Sequence, residues 1–114
     1  MLTIEELRQF GANVEEGISR CMDDEEFYLE LVDMALEDDG FEKLSEAVEA
    51  KKWKDAFEAA HALKGVLGNV ALTPLYTPVS EMTELLRAQQ EADYPALLGR
   101  ILQQRDTLLT RKES

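Results

Sequence analysis

The sequence is poor in the residues on which most small-protein chemistry depends. Cys21 is the only cysteine and His61 the only histidine among 114 residues. A single cysteine excludes an intramolecular disulfide and a CxxC pair for metal or redox work, which leaves Cys21 as a small residue facing a helix contact. A single histidine excludes the Glu-x-x-His motifs on several helices from which metal-binding bundles are built. No apolar run approaches the ~20 residues needed to cross a bilayer, and the start Met1-Leu2-Thr3-Ile4-Glu5-Glu6 lacks the basic and apolar regions of a signal peptide. A cytoplasmic protein is expected. Basic residues are scarce as well: 12 stand against 24 acidic ones, a formal net charge of −12. Such a balance repels nucleic-acid phosphates and anionic headgroups, so neither nucleic acid nor a membrane surface is expected as a partner. Internal repeats, low-complexity tracts and segments of strand periodicity are also missing.

What remains is a chain of helical pattern. A hydrophobic content of 45% over this length suffices for one packed core, and a single domain spanning 1–114 is expected. Thr3 followed by Glu6 reads as a capping box opening a short helix to about Phe10, ended by Gly11. Asn13 caps a second piece from Val14 to about Met22, with Val14, Ile18 and Cys21 or Met22 on one side. These two pieces, residues 1–22, are expected to lie as a flap across a bundle formed by 23–111. Asp23 and Asp24 supply the next cap, and Phe27, Leu31, Met34 and Ala35 mark the core-facing stripe of a helix from Glu25 to Glu37. Asp38-Asp39-Gly40 breaks the pattern, which resumes with its stripe rotated at Phe41, Leu44 and Val48.

A turn near Lys52, after which Trp53 can pack, leads into a helix from about Lys54 to Val70. At about 100° per residue its positions Ala56, Ala60, Leu63, Leu67 and Val70 share one face. Thr73-Pro74 and Thr77-Pro78 each read as an N-cap with Pro at the first helical position. A proline inside a helix forfeits a hydrogen bond, so the spacing predicts a short turn and then a helix from Pro78 with Val79, Met82, Leu85 and Leu86 inside. Pro95 starts a last helix to about Thr110, carrying Leu97, Leu98, Ile101, Leu102, Leu108 and Leu109 inward. An all-α antiparallel bundle with short connections follows. The chain opens with Met1 and closes on the polar tail Arg111-Lys112-Glu113-Ser114, as expected of a free-standing protein.

The segment His61-Ala62-Leu63-Lys64-Gly65-Val66-Leu67-Gly68 stands out within this plan. His61 projects about 120° from the centre of the apolar stripe, and Gly65 and Gly68 fall on its own side. Glycine inside a helix costs about 1 kcal/mol against alanine, so two glycines beside the only histidine ask for a reason, and room for a partner is one. A surface histidine without a task is the plainest alternative. Metal binding is disfavoured because Phe57 and Gly65 occupy the positions four residues away. Hydrolytic work is disfavoured because a bundle face cleared by glycines offers no cleft. The remaining reading makes His61 an acceptor: imidazole is substantially neutral at cytosolic pH, and a free ring nitrogen can attack a phosphoryl group. Lys64 can steady the anionic oxygens, and Gly65 leaves space for the donor. On the following helix, Thr83 and Arg87 fall on one side of the Met82 stripe, near the imidazole; Arg87 is expected as a solvated surface arginine, with assistance to the phosphoryl group as the alternative.

His61-Ala62-Leu63-Lys64-Gly65 resembles the H-x-L-K-G signature of histidine-containing phosphotransfer (HPt) domains. Phe27-Tyr28-Leu29-Glu30-Leu31 with Met34, Ala59-Ala60, Leu75 and Met82 are similar to other positions of that family, from about Glu25 to Gln90. The resemblance implies an up-down four-helix bundle with short additional N-terminal helices, its first arm running from Glu25 to Lys51 with a bend at Asp39-Gly40. It implies phosphorylation of His61 at the ring nitrogen farther from the backbone, with Lys64 and Gly65 at matching positions. Val66 replaces a common serine and Ala71 a common glycine, and Gly68 lies outside the signature. The implied partners are a response-regulator receiver domain, a hybrid histidine kinase or both, met by a monomer through an interface near or below about 1,200 Å². No cofactor is implied on this chain, since Mg²⁺ would sit on the receiver, and the protein would be a phosphocarrier rather than an enzyme acting alone. The competing class is a helical adaptor that docks a partner without phosphate.

Overall fold

The computed structural model describes residues 2–113 and is all-helical; Met1 and Ser114, the two ends of the sequence reading, lie outside the described residues. Among the described residues seven helices follow one another: α1 (Ile4–Phe10), α2 (Val14–Arg20), α3 (Glu25–Leu36), α4 (Gly40–Glu49), α5 (Trp53–Asn69), α6 (Thr73–Arg87) and α7 (Tyr94–Lys112). Their starts follow local chemistry. Thr3 and Glu6 form the capping box of α1, Asn13 accepts from the Glu16 amide at α2, Asp24 from that of Phe27 at α3, and Asp93 from that of Ala96 at α7.

Helices α4, α5, α6 and α7 close a ring in which α4 packs on α5 and α7, and α6 on α5 and α7. Connections as short as 50–52 and 70–72 leave sequential neighbours no choice but to run antiparallel. Leu44, Leu63, Leu67, Leu75, Met82 and Ile101 fill the interior, all completely buried. The stripe Ala56, Ala60, Leu63, Leu67 and Val70 of α5 is buried throughout, and the alanines let neighbouring helices approach closely. The break at Asp38-Asp39 separates α3 from α4 in the first arm. From α7, Arg105 bridges it by donating from Nε to the Leu36 carbonyl (2.8 Å) and lying 4.7 Å above the Phe41 ring.

The helix ends share one device. After α2, α4, α5 and α6 a non-glycine residue adopts the left-handed conformation: Met22 (φ 58°), Lys51 (57°), Ala71 (55°) and Gln89 (55°). In each, two amides close back on the last turn, as at α5, where Ala71 bonds the Gly68 carbonyl and Leu72 that of Leu67. Helices α2 and α3 are tied to the same corner. The Asn13 amide reaches the Ala71 carbonyl (3.0 Å), Arg20 donates to the Gly68 carbonyl (2.7 Å), and the buried Tyr28 hydroxyl donates to that of Val70 (2.9 Å).

Two local expectations are corrected, and an open alternative is settled. The buried face of α3 is Tyr28, Val32, Ala35 and Leu36, whereas Phe27 is 44% and Met34 67% exposed, a rotation of about one residue or 100° from the expected stripe. Tyrosine occupies the core position because its ring packs where Gly17 has no side chain and its hydroxyl finds a carbonyl. Helix α6 begins at Thr73, capped by Leu72 without a side-chain bond, and continues through Pro78. The Pro78 ring is buried beside Leu75 and Val79, so core packing offsets the about 3 kcal/mol that an internal proline costs. In α2 it is Cys21, 2% exposed, that faces the core, while Met22 is turned out at 89% by its left-handed backbone.

Candidate phosphoacceptor site on α5

His61 lies on the exposed side of α5, and a Cβ on Gly65 would meet no atom within 4 Å beyond its chain neighbours and the backbone of its own helix turn. The glycine one turn from the imidazole therefore leaves an open approach, its about 1 kcal/mol of helix propensity unrecovered by any contact. Gly68 differs: a Cβ there would meet the Tyr76 ring at 3.3 Å, so this glycine admits an aromatic side chain of α6 and clears no space in front of His61.

The imidazole has a neighbour that sequence spacing marks only as a non-ligand. Phe57, one turn earlier on α5, stacks on His61 with centroids 5.7 Å apart and 19° between planes. From α6, the Arg87 guanidinium lies 5.5 Å from the centroid of the Phe57 ring. Arg87 Nε is 3.7 Å from one oxygen of Glu84, and Lys64 Nζ is 3.6 Å from the other. The five residues thus form a circuit, His61 to Phe57 to Arg87 to Glu84 to Lys64, and Lys64 returns to within a turn of His61. Arg87 joins this surface through Phe57 and Glu84 rather than by direct contact with the imidazole. Thr83 does not join it. It is fully buried and its hydroxyl donates back to the Val79 carbonyl (2.8 Å), which removes it from the imidazole side, contrary to expectation. The signal for Phe57 was its spacing of four from His61, and that for Glu84 its spacing of three from Arg87 on a shared helix face.

Open grooves flank this face. One of about 940 Å³ is lined by Trp53, Lys54, Phe57, Arg87, Gln90 and Tyr94, with the Trp53 and Tyr94 rings 5.0 Å apart. Trp53 packs there at the start of α5 and remains 41% exposed. The other groove, about 640 Å³, lies between α4 and α5 and includes Ala62 and Val66. Among the described residues no three His, Cys, Asp or Glu side chains gather as a metal site, and no helix is long and apolar enough to cross a membrane.

A helical bundle that displays one histidine on a cleared, cation-flanked helix face is the architecture of a phosphotransfer module. The family model of the Hpt domain matches residues 4–111, nearly the whole chain, and the chain belongs to that family. Neither the curated proteins nor the solved structures contain a match. Hpt domains are phosphotransfer modules of two-component signalling, and they carry phosphoryl groups rather than catalyse by themselves.

Proposed function

We propose that this chain is a phosphocarrier that accepts a phosphoryl group on His61 from the aspartyl phosphate of a receiver domain, or from a histidine kinase, and passes it to another receiver. The observation that carries this reading is the exposed imidazole beside the empty volume at Gly65, with the Lys64 ammonium one turn away. In the transfer, Nε2 attacks phosphorus, an N–P bond forms, and the P–O bond to the aspartate breaks with its electron pair left on the carboxylate. Lys64 offsets charge on the phosphoryl oxygens, while the Mg²⁺ that completes this work belongs to the receiver and this chain supplies no metal ligand. The open face suits a small transient interface centred on His61 and Ala62, with the chain as a cytoplasmic monomer between encounters.

The test is transfer from a receiver domain charged with labelled acetyl phosphate and Mg²⁺. Acid-labile, base-stable label is expected on the wild type and not on His61→Gln. Equal label on both proteins rules out His61 as acceptor, and binding of receivers without label on either favours the adaptor.

A further inference from the structure

Glu84 occupies an unusual place for a carboxylate. It stands on the acceptor face of a proposed phosphate carrier, where a dianionic group is to be received, and its two oxygens lie 3.6 Å from Lys64 Nζ and 3.7 Å from Arg87 Nε. Both cations that could meet the phosphoryl oxygens are thereby engaged while His61 is bare. Lys64 is the more constrained of the two, with its side chain 27% exposed against 52% for Arg87. A phosphoryl group arriving on His61 must draw Lys64 from this carboxylate or share it, and it meets the negative charge of Glu84 as it does so.

We propose that Glu84 is a positioning residue for phosphotransfer, an internal competitor that holds Lys64 and Arg87 in place on the bare protein and lowers the affinity of His61 for the phosphoryl group, which favours onward transfer. This rests on His61 being the acceptor. The carboxylate takes no part in bond making: the N–P bond forms and breaks as described, and Glu84 changes only the balance between loaded and bare states. A carrier that must release its group to an aspartate gains from a loaded state that is not too stable.

The test loads wild type and variants with phosphoramidate, whose P–N bond is exchanged for that of phosphohistidine with release of ammonia, and mixes them with an uncharged receiver domain in Mg²⁺. The readout is the equilibrium share of phosphoryl on His61. Exposed ion pairs at this separation are worth little, so Glu84→Gln is expected to raise the ratio of loaded His61 to loaded receiver about two- to fivefold. Glu84→Asp keeps the charge and should stay near the wild-type ratio, and in a Lys64→Gln background the Glu84→Gln effect should be clearly smaller, as a coupled pair requires. Unfolding midpoints of all variants identify any change due to folding alone. An unchanged or lowered ratio in Glu84→Gln, or the same rise with and without Lys64, overturns the proposal. Absence of label on wild-type His61 overturns the acceptor reading beneath it, an outcome distinct from a labelled wild type indifferent to Glu84.

Discussion

The Phe57 ring and the His61 imidazole are stacked at 5.7 Å with only 19° between their planes, on successive turns of one helix. The stack lays the imidazole against the Phe57 face, and the Arg87 guanidinium lies 5.5 Å from the centroid of that same ring.

Loss of that stack should slow acceptance without abolishing it. Aromatic pairs contribute about 0.5–1.5 kcal/mol beyond burial, so Phe57→Ala is expected to reduce the initial rate of label uptake about two- to tenfold. Phe57→Tyr keeps the ring and should stay near wild type. Uptake by Phe57→Ala at the wild-type rate would show that the imidazole is held by other means.

Gly65 separates stability from access. With nothing within 4 Å of the position of its Cβ beyond its chain neighbours and its own helix turn, Gly65→Ala should raise unfolding free energy by about 1 kcal/mol through helix propensity alone. The same variant should take label from a protein donor more slowly, and more slowly still as Leu, while phosphoramidate, too small to touch the added group, labels all three alike. A parallel loss with both donors would place the effect on the imidazole rather than on docking.

Alkaline pH should weaken the fold through Tyr28. Burial, then the nearby Cys21 and Glu15, push its hydroxyl from 10.0 up to about 12. The folded chain holds this proton more tightly than the unfolded one. The resulting stability is therefore complete below pH 10 and is lost as pH rises through about 12. Urea midpoints followed from pH 8 upward should fall more steeply for wild type than for Tyr28→Phe. Near neutrality that variant should be weaker by about 1 kcal/mol, since the Val70 carbonyl loses its donor.

Two of the left-handed helix ends should respond differently to glycine. Lys51 is exposed at φ 57°, so Lys51→Gly relieves a conformation that costs an L-residue about 1–2 kcal/mol, offset in part by glycine's greater freedom when unfolded. A gain of about 0.5–1 kcal/mol in chemical denaturation is expected. Ala71 shares the conformation but its methyl is buried, and removing it costs about 0.8 kcal/mol, so Ala71→Gly should be nearly neutral.

Much of this molecule was legible from residue order. The caps at Thr3, Asn13 and Asp24 are local hydrogen bonds between neighbours, and the stripe of α5 is a matter of period. The family signature at His61-Ala62-Leu63-Lys64-Gly65 needed no structure either, as these residues lie within two turns of one helix. Residue order does not suffice where distant parts of the chain decide. Phe27 is more apolar than Tyr28, yet Tyr28 is buried because Gly17 and the Val70 carbonyl await it from elsewhere. Pro78 breaks helices locally and is held in one by its burial in the core. Thr83 and Glu84 are adjacent, and only packing of α6 on α5 determines that the first turns inward and the second meets Lys64.

The openness of the face at His61 and Gly65 also has a meaning in time. A phosphoryl group placed there would stand in bulk water, with no lid to exclude hydrolysis and no wall to retain it. Its survival would be a race between solvent and the next partner encounter. Such a carrier is also a clock, whose period is written in the reactivity of one N–P bond and is reset whenever no receiver arrives in time.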